Sequence, residues 1–211
     1  MNSKKESIIC SYPDFAIFLK PYFKNKKEIS DFFNKCFLNK KTQEMWASLY
    51  YFSLAYVDLV SCKSSKNNIA YLNLILIGLV ERIHSIKIGK KESLKIGSKQ
   101  IIIRFFRNTP KEDKKMIEEK IRPFDGKAFK FSEIIAILYN RRNQLAHGKD
   151  FWWSNHIFCP FVFDYWITHI EYGSRKNKKF CVIETSLRVK DFKNLIVKTA
   201  IIDIKRALRI K

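Results

Sequence analysis

Acidic residues are scarce in this sequence. Aspartate and glutamate number 20 against 41 lysines and arginines, which gives a formal net charge of +21 over 211 residues. An imbalance of that size favours a polyanionic partner, nucleic acid above all. Part of it has a blander source, because lysine is abundant together with asparagine, isoleucine and phenylalanine, as in an AT-rich coding sequence. Cysteine is also sparse. The five cysteines, Cys10, Cys36, Cys62, Cys159 and Cys181, are odd in number, scattered, and form no Cys-x-x-Cys pair. That argues against a disulfide framework and against a cysteine-rich zinc site. They read as small buried hydrophobes in a reducing compartment. The four histidines, His84, His147, His156 and His169, lack ligand spacing such as His-Glu-x-x-His, so neither a metal nor another cofactor is expected. Long apolar runs are missing too. The longest, Ile69 to Val80, is too short to span a bilayer and ends at Glu81-Arg82. Lys4 and Lys5 precede a short apolar patch broken by Pro13 and Asp14, which makes a poor signal peptide. The expectation is a soluble, cytoplasmic protein without a membrane partner, and without internal repeats.

What the chain does have is apolar and aromatic substance. Hydrophobic residues make up 46% and aromatic residues 15%, so disorder throughout is excluded. The length suits one domain with a sizeable core. Periodicity predicts a short helix over residues 28–37, with Ile29, Phe32, Phe33 and Phe37 on one side. A stronger helix runs from Thr42, as N-cap, to Ser61, with Met45, Leu49, Phe52, Tyr56 and Leu59 at helical spacing. Residues 69–88 predict a central buried helix, apolar nearly all round at first. Residues 89–99 are basic and polar and read as a loop. Residues 101–106 begin a short helix or strand. Thr109 and Pro110 predict a helix start with Thr109 as cap, running to about Ile121, followed by a turn over residues 122–126. Residues 166–172 and 180–185 read as two strands of a β-hairpin with a basic tip. Val189 to Ile210 predicts a last amphipathic helix, with Leu195, Ile196, Ala200, Ile204 and Leu208 inward.

One stretch concentrates chemistry: Asn140-Arg141-Arg142-Asn143-Gln144-Leu145-Ala146-His147-Gly148. It closes an apolar run that starts near Phe131, with Ser132 as the expected cap. Ile134, Leu138 and Leu145 share one helical face, and Gly148 is the residue type most common just past a helix end. At 3.6 residues per turn, Asn143 and His147 share a face, Arg142 sits beside the apolar stripe, and Arg141 points closer to it. Which arginine faces a groove stays open at this level. A histidine can exchange protons near neutral pH, and an arginine can clamp a phosphate through two donors. Both are also ordinary residues for the last turn of a helix, where cations complement the dipole.

Arg142-Asn143-x-x-x-His147, at a helix end and followed by Gly148, resembles the signature of the HEPN superfamily. The resemblance covers residues 42–150 and extends to the last helix. It implies a mainly α-helical HEPN-like bundle, here with a small β-hairpin insertion near the C-terminus. One HEPN-like domain over residues 1–211 would comprise an N-terminal extension (1–41), a helical core with the motif (42–150), an aromatic and hairpin insertion (151–187) and a C-terminal helix (188–211). It implies a metal-independent RNA endonuclease, in which the RNA's own 2′-hydroxyl attacks the adjacent phosphate. Arg142 would stabilise the phosphoryl charge, His147 would move a proton or hold the phosphate, and Asn143 would orient one of them. An acidic residue on the facing helix is common in the family, and Glu81 is the matching position, with Arg141 a second supporting residue. His84, one turn later, either lines the same groove or is simply buried. The family pairs motif helices in homodimers, and its members serve as toxins or antiviral effectors restrained by partners such as a nucleotidyltransferase-type antitoxin.

Outside the motif, Trp152 and Trp153 either stack an unpaired base or close the core or a dimer interface. Arg175, Lys176, Lys178 and Lys179 at the hairpin tip either follow a phosphate backbone or form a solvated turn. Two other functions compete with the nuclease reading. One is a non-catalytic HEPN-like module binding RNA or protein in a defence or toxin–antitoxin system. The other is a DNA-binding protein, although no convincing helix-turn-helix is present.

Overall fold

The computed structural model describes residues 12–61, 68–124, 127–147, 158, 164–173 and 177–209. In chain order they form α1 (Pro13–Leu19), α2 (Lys26–Cys36), α3 (Lys40–Ser61), α4 (Asn68–Ile88), α5 (Lys90–Ile96), α6 (Ser98–Phe105), α7 (Lys111–Glu119), β1 (Ile121–Pro123), α8 (Phe131–Ala146), β2 (Trp166–Gly173), β3 (Lys178–Thr185) and α9 (Val189–Ala207). The chain is therefore mainly helical, with a small three-stranded antiparallel sheet near its C-terminus.

The most apolar stretch becomes the central element. Helix α4 packs against α3, α6, α8 and α9. It buries Leu72, Leu76, Ile77, Leu79, Val80 and Ile83. A helix apolar on several faces needs neighbours on several sides, and four helices supply them. Met45, Leu49 and Phe52 of α3 and Leu195, Ile196, Ala200 and Ile204 of α9 close on it in one continuous core. That core also takes Phe15 and Leu19 of α1 and Ile29, Phe32 and Phe33 of α2. Two lysines of α9 fix this N-terminal part. Lys193 Nζ lies 5.1 Å from the Phe18 ring centroid and 5.5 Å from that of Tyr56, and donates to the Tyr22 hydroxyl at 2.9 Å. Lys205 Nζ sits 4.8 Å from the Phe23 centroid and 3.0 Å from Glu28 Oε1.

Several boundaries differ from the sequence expectation. The cap of α3 is Asn39, whose Oδ1 accepts from the Lys41 N–H at 2.8 Å. Thr42 lies inside the helix and turns its buried hydroxyl back onto the Cys36 carbonyl at 2.8 Å. Residues 90–96, expected as a loop, form the exposed helix α5. Their lysines and glutamate are adequate helix formers, and polarity alone does not break a helix. The breaks come at Gly89 (φ 88°) and Gly97 (φ 75°), a backbone region that side chains disfavour. Residues 101–106 belong to α6 and the 3₁₀ turn after it, not to a strand. Helix α7 stops at Glu119, and its N-cap position is Pro110. Thr109 is buried instead, its hydroxyl 2.8 Å from that of Thr199.

The expected turn at residues 122–126 is in part a third strand. β1 pairs antiparallel with β3 (Ile121 opposite Thr185, Pro123 opposite Ile183), and the sheet order is β1-β3-β2. Pro123 ends an edge strand, where its missing N–H is tolerated. Asp125 and Gly126 lie outside the described residues. The expected hairpin is present, with Trp166 opposite Thr185 and Gly173 opposite Lys178. Helix α8 is capped from Lys130, whose N–H is accepted by Glu133 at 2.9 Å; Ser132 is exposed and caps nothing. The last helix ends at Ala207, with Leu208 half-buried beyond it. Cys36 is a buried thiol and Cys181 a half-buried one, while Cys10, Cys62 and Cys159 lie outside the described residues. Among the described residues no helix is long and apolar enough to cross a membrane.

The packing makes a paired prediction. Leu76→Ala, at the centre of the core, should lose about 2–5 kcal/mol of stability in urea unfolding. Leu54→Ala, on the exposed side of α3, should stay within about 0.5 kcal/mol of wild type.

Candidate functional site

The last turns of α8 lie against the C-terminal half of α4, and charge decides their rotation. Ile134, Ile135, Ile137 and Leu138 bury the apolar side of α8. Asn73 Nδ2 of α4 donates to the Leu138 carbonyl at 3.3 Å, tying the helices where both are dry. One turn further along α8, Arg142 Nη2 meets Glu81 Oε2 at 2.8 Å. Their side chains are 26% and 17% exposed, so the pair stands at the edge of the core. Arg142 Nη1 also donates to Asn143 Oδ1 at 3.0 Å. Glu81 Oε1 and Arg142 Nε are buried and meet no partner among the described residues.

The two adjacent arginines thus separate. Arg142 takes the facing carboxylate. Arg141, 6% exposed, turns inward along the apolar stripe and donates to Gln144 Oε1 at 3.3 Å. The chain leaves the helix at His147, whose N–H donates to the Asn143 carbonyl at 3.1 Å and whose side chain is exposed. The structure therefore brings Glu81, Arg142 and Asn143 into direct contact, with His147 one turn beyond on the Asn143 face. Gly148, Trp152, Trp153, Arg175 and Lys176 lie outside the described residues. Lys178 opens β3, and Lys179 is exposed beside it. Sequence reasoning missed Asn73 and Gln144. The signal for Asn73 was available, because an amide inside an apolar helix needs a partner.

His84 does not join Arg142. It is buried between α4, α6 and α9, and both ring nitrogens lack a partner among the described residues. Burial is the main force holding it neutral, pushing its pKa from 6.5 down to about 4. The positive charge of Lys87 adds to this, the wholly buried Asp203 opposes it, and Arg104 and Arg107 reinforce it. Asp203 itself accepts from Lys87 Nζ at 2.8 Å and from Asn108 Nδ2 at 2.7 Å. Among the described residues no group of three or more histidine, cysteine or acidic side chains is arranged to hold a metal ion.

Chemically, the pair presents a guanidinium fixed by a carboxylate at the rim of a helix junction, with an exposed imidazole nearby. Such a cation can meet an anionic oxygen through its remaining donors. No protein-family model, curated protein or solved structure matches this chain.

His84 carries a pH prediction. As pH falls through 6.5 the unfolded chain takes up a proton there, while the folded chain resists to about 4. Protonation then favours unfolding, so stability is lost on going from pH 6.5 to 4, by roughly 3 kcal/mol from this group. Urea unfolding at pH 7 and pH 4.5 should show that loss in wild type and a smaller one in His84→Leu.

Proposed function

We propose that the chain is a HEPN-type RNA endonuclease that cleaves through the RNA's own 2′-hydroxyl. The observation that supports this reading is the Glu81–Arg142–Asn143 contact. A carboxylate on the facing helix holds the guanidinium by which the motif would bind phosphate, and an asparagine on its own helix orients the same group. Two of the five guanidinium N–H donors are engaged by these neighbours, which leaves others for the non-bridging phosphoryl oxygens. His147, exposed at the helix end, moves the proton: it takes one from the 2′-hydroxyl or returns one to the departing 5′ oxygen. As the 2′ oxygen bonds to phosphorus, the bond to the 5′ oxygen breaks. The products are a 2′,3′-cyclic phosphate and a 5′-hydroxyl end. The HEPN resemblance assigns no step to a metal or other cofactor.

The same reading makes the protein a homodimer in the cytoplasm, with motif helices paired so that two copies build one groove. Its role would be that of a toxin or antiviral effector, held quiet by a nucleotidyltransferase-type antitoxin. The formal charge of +21 suits the RNA. One observation favours a second reading. The His147 ring meets no described side chain that would orient it, which suits a non-catalytic RNA- or protein-binding module of the same class.

The test is RNA cleavage in EDTA by wild type, His147→Ala and Arg142→Ala. Loss of about 10²–10⁴-fold in rate is expected for the histidine variant, with its fold intact because the position is exposed. A folded His147→Ala that cleaves like wild type contradicts the mechanism. A wild type inert on varied RNAs, yet binding them with steep salt dependence, gives the answer to the binding module.

A further inference from the structure

Lys87 stands in the last turn of α4 and Arg104 in the last turn of α6, with Arg107 and Asn108 in the 3₁₀ turn that follows. Helices α4 and α6 pack on each other, and the turn packs on α9. Asp203 of α9 draws these ends together. Its Oδ1 accepts from Lys87 Nζ at 2.8 Å and from Asn108 Nδ2 at 2.7 Å. Arg107 adjoins Asn108, and Arg104 lies one 3₁₀ turn before Arg107. Lys114 of α7 reaches the same place, its Nζ donating to the Arg107 carbonyl at 3.4 Å. Cations from α4, α6 with its turn, and α7 thus meet at one junction.

The acids nearby leave most of that charge unanswered. Asp203 is wholly buried and already engaged. Asp113 is held by Lys198 at 2.7 Å. Glu112 lies two residues before Lys114 and does not share its face of α7. Glu92 Oε1 is 4.0 Å from Arg104 Nη1, too far for a hydrogen bond, with both side chains exposed to solvent. The side chains of Arg104 and Arg107 accordingly make no hydrogen bond among the described residues, and Arg104 Nε is buried as well. Lys87 and Asn108 each keep donors beyond the one that Asp203 takes. Arg107 is exposed, and the side chains of Lys87 and Arg104 are 29% and 39% exposed, so their outer donors reach solvent. His84 behind them feels the excess. Burial first, then Lys87, then Arg104 and Arg107 hold its imidazole below the ordinary value, with Asp203 alone opposing. Two guanidinium groups and an ammonium with unspent N–H donors suit an anion that offers several oxygens at once. A phosphate does so, where a carboxylate has only two.

We propose that Lys87, Arg104, Arg107 and Asn108 form a second anion site, which takes a phosphate group at the junction of α4, α6 and α9. At about 1.5 Å of rise per residue, Lys87 stands about 9 Å beyond Glu81 on α4 and about a third of a turn around it, so the site is separate from the Glu81–Arg142 pair. Only the bearer of the phosphate rests on the nuclease reading. On that reading it is a phosphate of the RNA strand away from the scissile one; a free nucleotide would bring the same group.

The test variant is Arg104→Ala/Arg107→Ala, which should melt like wild type because neither side chain makes a hydrogen bond among the described residues. Replacing chloride by inorganic phosphate at constant ionic strength should raise the melting temperature of wild type and not that of the variant. A short oligoribonucleotide, 2′-O-methylated so that it cannot be cleaved, should bind the variant about tenfold more weakly in fluorescence anisotropy, and the slope of log affinity against log salt should fall by roughly 1. Lys26→Ala/Lys27→Ala removes the same charge from the exposed start of α2 and should match wild type in both measurements. Loss of the phosphate response with unaltered oligonucleotide binding would keep the site and assign it a free phosphate or nucleotide. The proposal is overturned if phosphate does not stabilise wild type, or if the arginine variant responds as wild type does. It is equally overturned if the Lys26/Lys27 variant loses as much, which would make the effect one of total charge. Should the double variant melt lower, Arg107→Glu at the exposed position reads the same quantity: a weakened phosphate response is expected, and an unchanged one overturns the site. RNA bound through these residues without cleavage in EDTA would defeat the nuclease reading alone. Cleavage in EDTA by a wild type that phosphate does not stabilise would defeat the phosphate site alone.

Discussion

A carboxylate set at the edge of the core must be matched, and this constraint sets how α8 sits on α4. Glu81 stands on α4 directly after the buried pair Leu79 and Val80. Arg142 of α8 answers it at 2.8 Å. A hydrogen bond between charged groups is worth about 1.5–3 kcal/mol, less than the combined burial of Ile134, Ile135, Ile137 and Leu138 at about 1.5–3 kcal/mol each. Apolar packing thus holds α8 on α4, and the ion pair selects the rotation. Once Arg142 faces Glu81, helical geometry turns Arg141 toward the stripe and sends Asn143 and His147 outward. The Asn73 bond to the Leu138 carbonyl fixes the height of one helix on the other.

One turn further along α4 the same rule holds at a different cost. Asp203 lies wholly buried but accepts from Lys87 and Asn108, which satisfies one of its oxygens. His84 beside it has no such partner among the described residues, and burial favours its neutral form. At the rim, the Glu81–Arg142 charge is matched and stays partly exposed. In the interior, charge is either tied to a neighbour or suppressed. Arg142 and Lys87 are similarly exposed and both are paired, but only Arg142 adjoins an exposed histidine on its own helix.

Much of this was legible in the sequence wherever periodicity carries the information. The helices at α2, α3, α4, α8 and α9 and both strands of the hairpin follow from spacing alone; that Glu81 needs a partner follows from its place in an apolar run, while its pairing with the motif was implied only by the HEPN resemblance. Three expected caps, Thr42, Thr109 and Ser132, failed for one reason: each sits one or two residues from the true boundary, where a different backbone group is orphaned. Helix α5 was missed because exposed polar residues signal solvent rather than loop. Strand β1 was missed because three residues form a strand only when a distant partner, β3, is already present. The choice between Arg141 and Arg142 required the position of Glu81, which lies 61 residues away in the chain.

The most direct measurement is a double-mutant cycle read as the rate of RNA cleavage in EDTA, over wild type, Glu81→Gln, Arg142→Ala and the double variant. If Glu81 acts by holding Arg142, Glu81→Gln slows wild type but slows the Arg142→Ala enzyme no further. Multiplicative losses, or a Glu81→Gln enzyme as fast as wild type, would contradict the account.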